Sequence, residues 1–494
     1  MLPFQTLLVI DRTGATPVYQ QIANGLIHII RNGMIKPGSV LPSTRAMAVL
    51  LQVHRKTVVA AYEELSAQDW IESAPRKSIS VSKRLPDLKP RSFKRVDETT
   101  AYKKTTGNFF LKLAEPTVSI VKKPVYRLVI NDGFPDPRIA PVDGLLKQYR
   151  FLLKRIQPEG LIMHGDAEGS LHLRNAIAGF LVDTRAIHAD HENILLTRGA
   201  QMAIFIAARM IIKPGSTVIV GEPNYSNANM IFEHFGAKLV KVPVDEDGIN
   251  ADAIEKICRK SKPALLYVIP HHHHPTTVTL SAERRMKLLD TIRTFKLPVI
   301  EDDYDYDFHY NKSPILPLAS ADHNGYVLYI GSITKSFAST IRIGYLVASA
   351  AFVQQAAALK EMIDIRGDVL MEEAMAVLFK SGDMQKHLKK SIKIYQARRD
   401  MFCSLLKDEL GDMIRFTIPA GGMAVWARFE KKYPVQWVSE RAAKFGLYIS
   451  PGHFYNTGKH NYNAARMGFA AMNKKEMEDI IQVMKMIRSG RVHG

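Results

Sequence analysis

The stretch YIGSITKSFASTIRIG, Tyr329–Gly344, decides how the rest of the chain is read. It sets one lysine, Lys335, among Ser332, Thr334, Ser336, Ser339 and Thr340, with Arg342 seven residues further on. Apolar residues bracket the group on both sides. An amine used as a nucleophile has to lose its proton near neutral pH, and partial burial and a neighbouring cation both push it that way. Arg342 supplies such a charge, but two cations side by side are costly unless an anion joins them. A phosphate, with Ser332 donating to it, meets that requirement.

Working outward, short Val/Ile/Leu runs alternate with helical patterns. NILLTRG leads into AQMAIFIAARMII, STVIVGEPNY into SNANMIFEHFG, and ALLYVIP, after a loop, into SAERRMKLLDTIRTF; LPVIEDDYDYDF and GYVLYIGSITKSF follow. This alternation predicts a buried, mostly parallel α/β sheet, with ligands gathering at the carboxyl ends of its strands. TRGAQ puts Gly199, Ala200 and Gln201 where a strand end opens a helix, a place that favours an anion. IEDDY adds the carboxylate of Asp302 at another strand end, with the phenol of Tyr304 two residues on. Amine, phosphate cradle, carboxylate and phenol together fit pyridoxal 5′-phosphate, whose ring becomes an electron sink when a carboxylate keeps its nitrogen protonated.

The first 82 residues read differently. In TPVYQQIANGLIHIIRNG, Val18, Ile22, Leu26, Ile29 and Ile30 fall near a 3.6-residue period, with Pro17 at the start and Gly33 at the end. Ser43 is placed to cap a short helix carrying Met47, Leu50 and Leu51. A second helix reopens in VHRKTVVAAYEELSAQDW; Val58, Ala61, Tyr62 and Leu65 face inward, leaving Arg55, Lys56 and Thr57 at its exposed start. Two short helices, the second beginning with cations and a hydroxyl, suit a DNA major groove. WIESAPRKSISVS then reads as two strands around a basic tip, in the manner of a wing, and Arg76 and Lys77 of that tip are expected to touch DNA as well.

At 494 residues the chain calls for two or more domains. The net charge of +19 is uneven: residues 1–95 hold 14 Lys/Arg against 6 Asp/Glu, which points the head toward a polyanion. No apolar run reaches a membrane-spanning length, and TLLVI runs into Asp11, too short for a signal peptide. Two distant cysteines, Cys258 and Cys403, fit a reduced cytoplasm. Residues 83–124, rich in Lys, Arg, Thr and Pro, read as an extended basic linker. Four consecutive histidines, His271–His274, invite a metal reading, but neighbouring side chains of an extended segment point oppositely and cannot share one ion. No metal is expected.

From PVYQQI to DWIES the head resembles the winged helix-turn-helix of GntR-type bacterial regulators; its most specific parts are GMIKPGSVLPSTR and RKTVVAAYEEL. That resemblance assigns DNA contacts to Arg45, Arg55, Lys56 and Thr57. It departs at the wing, where Arg76, Lys77 and Ser78 replace a Gly-x-Gly tip, and at His54, where serine is common. From about Asp132 onward the chain resembles a fold-type I aminotransferase, through GDAEGSLHLRNAIAGFL, TRGAQMAI, EPNY, VPVDEDGI, HPTTVTLSAERR, IEDDYDYDF, the opening stretch and ARMGFA. Head and body together resemble the MocR subgroup of GntR regulators. The resemblance implies a large subdomain at about 160–360 and a small one at about 370–494, within a body of residues 125–494. It implies Lys335 as Schiff-base lysine, Asp302 at the pyridine nitrogen, Tyr304 at the 3′-hydroxyl and Tyr225 stacked on the ring. Ala200, Gln201, Ser332 and Arg342 would hold the phosphate, and Arg466 an amino-acid carboxylate. It further implies a domain-swapped, head-to-tail homodimer.

Four positions in the body depart from the family pattern. Thr277 stands where glycine is usual, His274 near an asparagine that meets the cofactor oxygen, and His164 in place of a tyrosine. Asn227 stands where the GABA-sensing member has an arginine. The expectation is a cytoplasmic transcriptional regulator that binds double-stranded operator DNA and senses an amine, an amino acid or pyridoxal phosphate itself. The alternative is a working aminotransferase with an accessory head.

Overall fold

The computed structural model describes residues 3–72, 78–85, 126–155, 165–310, 315–456 and 460–490. Arg76, Lys77, His164 and nearly all of the expected linker lie outside the described residues. The chain divides into two compact units, residues 1–121 and 122–494.

In the first unit, helix α1 (Phe4–Leu7) precedes α2 (Val18–Arg31), α3 (Thr44–Leu51) and α4 (Arg55–Ala67). Ile22, Leu26, Ile29 and Ile30 are buried against Met47, Leu51, Val58, Ala61, Tyr62 and Leu65, following the 3.6-residue spacing. Ser43 Oγ accepts from Ala46 N at 3.2 Å and so satisfies one free donor at the start of α3. Gln52, at φ 53°, turns the chain left-handed between α3 and α4. Strands β1 (Ile71–Glu72) and β2 (Ser80–Val81) then pair antiparallel as the sides of the expected wing. One feature went unread in the sequence: Phe4, and Leu8 of the TLLVI run noted only for its shortness, are buried in this core.

The second unit begins with β3 (Leu128–Val129). Among the described residues its main sheet has eight strands: β4 (Ile194–Thr197), β5 (Thr217–Glu222), β6 (Lys238–Asp245), β7 (Gly248–Ile249), β8 (Leu265–Val268), β9 (Val299–Asp302), β10 (Val327–Ser332) and β11 (Gly344–Val347). Their order is β4-β11-β10-β9-β8-β5-β6-β7. Strand pairs from β10 through β6 are parallel, whereas β11 runs antiparallel to both β10 and β4. The reason lies in the opening stretch. Only residues 333–343 separate β10 from β11, too few for a parallel crossover.

Alternate strand residues face opposite layers. Leu265, Tyr267 and Ile300 pack with Ala203, Ile204 and Ala207 of the helix Ala200–Ile211. Leu266, Val268 and Val299 pack with the helices Ala251–Lys260 and Ala282–Phe295. Burial on both faces is why these strands read as unbroken apolar runs. A smaller antiparallel sheet, β12 (Ile414–Arg415), β13 (Ala424–Phe429) and β15 (Ala464–Gly468), packs with the helices Asp383–Leu410 and Lys474–Arg488. Strand β14 (Leu447–Tyr448) pairs in parallel with β3, and Gly468 N donates to Asn131 O at 2.7 Å. These long-range bonds fix residues 128–134 beside the carboxyl ends of the main strands.

Candidate functional site

Those strand ends enclose a cavity of about 300 Å³, lined by residues of six segments. Strand β10 ends at Ser332, and the single helical turn Ile333–Ser336 carries Lys335 into the cavity. Lys335 Nζ donates to the Gly133 carbonyl at 2.8 Å and lies 4.0 Å from the centroid of the Phe134 ring. Its pKa is lowered to about 8: burial is the main cause, Arg466 and Arg342 act with it, and Asp132 and Asp305 oppose them. The amine is therefore poised near neutrality, as its sequence context implied.

Asp302 closes β9, in register with Ile330 of β10. Tyr267, one strand over, donates to Asp302 Oδ2 at 2.6 Å. The other oxygen, Oδ1, is buried with no hydrogen-bond partner among the described residues. Burial, with Asp303 and Asp305 nearby, pushes this carboxyl up to about 7 against the pull of Tyr267 and Lys335. A cationic N–H placed at Oδ1 would satisfy the orphaned atom and restore the charge.

The anion cradle is assembled across β4 and β11. Gly199, at φ 83°, opens the helix Ala200–Ile211 without a side-chain cap, so Ala200 and Gln201 present backbone donors beside the cavity. A Cβ on Gly199 would meet Arg342 Nη2 at 2.6 Å, and one on Gly344 would meet the Gly199 carbonyl carbon at 2.5 Å. Both positions are left to glycine by close approach of the two turns. Arg342 Nη2 donates to the Arg198 carbonyl at 3.3 Å, and Ser332 lines the same wall.

The remaining expected residues are also near. Tyr304 donates to the His272 carbonyl at 3.0 Å and accepts from Arg466 Nη2 at 3.1 Å. Tyr225 lies edge-on to His274, ring centroids 5.0 Å apart, and accepts from Asn227 Nδ2 at 3.0 Å. Arg466 is buried beneath the cavity wall and is not among its lining residues. Thr277 adopts φ 62°, the left-handed conformation that explains why glycine is usual there. The four histidines find four separate partners: Asp303, Asp305, the Thr276 hydroxyl and Asp132. Among the described residues no group of His, Cys, Asp and Glu could hold a metal ion.

Sequence reasoning gave no role to Asp132, Gly133, Phe134 or Tyr267. The arrival of Asn131–Phe134 over Lys335 depends on pairing with distant strands. Tyr267 was readable only as one apolar position of ALLYVIP.

In the head, Arg45, Arg55 and Lys56 are exposed and Thr57 is half-buried. The last three open α4, and His54 Nδ1 accepts from Lys56 N at 3.2 Å as its cap. No helix among the described residues is long and apolar enough to cross a membrane.

The family model for aminotransferases of class I and II matches residues 157–484. The chain belongs to that family. A second model, bacterial regulatory proteins of the gntR family, matches residues 18–81. The protein thus joins a gntR-type DNA-binding head to an aminotransferase-type body, the organisation of a transcriptional regulator. Two regulators align with both head and body. The probable rhizopine catabolism regulatory protein MocR of Rhizobium meliloti is 27% identical, over 97% of this chain and 95% of its own. The regulator TauR of Rhodobacter capsulatus is 26% identical, over 95% of each chain. Among solved structures, an archaeal alanine:glyoxylate aminotransferase is 28% identical with a TM-score of 0.70, covering 75% of this chain and 93% of its own. LysN, an α-aminoadipate aminotransferase of Thermus thermophilus complexed with N-(5′-phosphopyridoxyl)-L-leucine, shares the fold, with 23% identity and a TM-score of 0.68 over 74% of this chain and 92% of its own.

Proposed function

We propose that the body binds pyridoxal 5′-phosphate and uses it to sense an amine-bearing effector, which alters the head's grip on operator DNA. The observation that carries this reading is the buried, unpartnered Oδ1 of Asp302 in one cavity with Lys335 and an uncapped helix start. The donor set supports the coenzyme, although His274 stands near the position of an asparagine that meets its oxygen in the family pattern. Lys335 would hold its aldehyde carbon, Asp302 its ring nitrogen, Tyr304 its phenolic oxygen and Tyr225 a ring face. Ala200, Gln201, Ser332 and Arg342 would hold its phosphate. When bound, the coenzyme supplies an electron sink that acidifies the carbon bearing a ligand's amine. The chain's own residues orient the group and lower the pKa of the Lys335 amine, so that its proton is lost more readily than from a free lysine.

Effector and DNA influence each other only if the two favour different arrangements of the chain. We infer a cytoplasmic homodimer whose two heads address two half-sites. The test is a genome-wide footprint of the full chain with and without pyridoxal phosphate, then with added amines. Operator occupancy that changes with coenzyme or amine supports the reading; unchanged occupancy by the coloured, loaded protein overturns it. Occupancy that responds to pyridoxal phosphate alone would make the coenzyme itself the signal.

A second reading, an aminotransferase with an accessory head, draws on the same complete cavity. Multiple turnovers of an amino-acid and keto-acid pair, without specific DNA binding, would favour it.

A further inference from the structure

Asp132 stands between the cavity and Arg466. Its side chain is 44% exposed and lines the cavity, while that of Arg466 is 0% exposed. Arg466 Nε lies 3.5 Å from Asp132 Oδ1 and donates to the Asp132 carbonyl at 3.4 Å. Its Nη2 donates to Tyr304, and its Nη1 is buried without a hydrogen-bond partner among the described residues. A carboxylate arriving from the cavity therefore meets the carboxylate of Asp132 before it meets that guanidinium.

Asp132 is itself firmly held. His274 Nε2 lies 2.8 Å from its Oδ2, and Tyr455 donates to its Oδ1 at 3.3 Å. Burial works against ionisation here, but His274, Arg466 and Lys335 outweigh it and keep the carboxyl well below the usual range. With a phosphate on Arg342, the remaining guanidinium is that of Arg466, which does not line the cavity and whose Nε is already next to the Asp132 carboxylate. Asn227 adds no cation.

We propose that Asp132 occupies the carboxylate position itself, so that the cavity selects primary amines lacking a carboxylate on the amine-bearing carbon. This rests on the reading that Lys335 carries pyridoxal phosphate. Two like charges a few ångströms apart in a half-buried site are worth about tenfold or more in affinity.

Ethylamine and L-alanine differ only by the carboxylate and make a matched pair of probes. Each is titrated into the full chain loaded with pyridoxal phosphate, and the change in visible absorbance is followed. The expected half-saturation for ethylamine lies about tenfold or more below that for L-alanine. Asp132→Asn should move that ratio toward L-alanine by about tenfold or more. A wild-type preference for L-alanine overturns the proposal, as does a ratio that Asp132→Asn leaves unchanged. If the variant takes up no colour, the wild-type ratio alone decides. A wild-type chain that never becomes coloured overturns the coenzyme reading, and this inference falls with it.

Discussion

In the head, the cations expected to meet DNA stand outside a core of apolar side chains; in the body, the carboxylates at the end of β9, Asp302 among them, belong to the buried interior, while Lys335, Tyr225 and Tyr304 are half-buried and Gln201 and Arg342 are exposed. Arg45, Arg55 and Lys56 project from short helices whose packing does not use them. Glu301, Asp302, Asp303 and Asp305 are all buried at the end of β9, each bonded to named neighbours or lifted in pKa. The difference teaches where function and stability conflict. Removing a head cation should cost recognition alone, whereas changing a body carboxylate should alter stability as well as binding.

The largest effect belongs to Lys335. Lys335→Ala should abolish the visible absorbance that pyridoxal phosphate gives the wild type, and with it any borohydride-fixed coenzyme. The variant should still bind DNA through the head. Retained colour that borohydride fixes to protein would break the assignment of Lys335.

Asp302 sharpens the comparison from the stability side. Burial lifts its carboxyl to about 7, so the folded chain keeps a proton that the unfolded chain releases above about pH 4. Stability therefore falls as pH rises between those values, and the full deficit persists above pH 7. Asp302→Asn removes an acid that the fold disfavours in its charged form. Without coenzyme, its unfolding free energy should exceed that of the wild type at pH 8, by up to about 4 kcal/mol, with the gain shrinking toward pH 4. Coenzyme affinity should weaken at the same time, because an amide cannot ionise against the ring nitrogen. A stability difference independent of pH would show that Asp302 is not the group held protonated.

Arg55 tests the other half. Arg55→Ala should weaken operator binding about tenfold and reduce the salt slope by about one, as loss of a single phosphate or base contact does. Thermal stability and coenzyme colour should not move. A change in colour would mean that the head's surface is coupled to the body even without DNA.

The same contrast governs what the sequence disclosed. Helices α2–α4 were readable because their buried residues recur at helical spacing and their ends carry Ser43 and Gly33. Lys335, Asp302 and Tyr304 were readable because parallel strands deliver such residues to one edge, whereas Tyr225 came from the family resemblance alone. The direction of β11 was not read, although the short connection from β10 contained the answer. Asp132 and Phe134 were beyond local pattern altogether. They reach the cavity because Leu128 pairs with Leu447 and Gly468 bonds to Asn131, contacts that no periodicity encodes. His271–His273 looked like one feature but are three separate buried polar contacts, set by where Asp303, Asp305 and Thr276 fall in the fold.

The smallest effect concerns Ser43, which acts locally in the head. Its hydroxyl accepts one backbone N–H at the start of α3, a helix of eight residues with Met47, Ala48 and Leu51 in the core. Ser43→Ala should cost the head about 1 kcal/mol, the usual value of an N-cap bond. α3 precedes α4 by the single left-handed turn at Gln52, so its fraying would loosen the start of α4, where Arg55, Lys56 and Thr57 lie. Operator affinity should therefore fall a few-fold at most, while Ser43→Thr or Ser43→Asp restores it. Hydrogen exchange of the Ala46 amide is the direct readout. Protection there should drop in the alanine variant while amides of β9 and β10 stay as slow as before. If instead the sheet amides quicken, the head and body are energetically continuous, and the division drawn between an outward-facing and an inward-facing set of charges fails at its structural root.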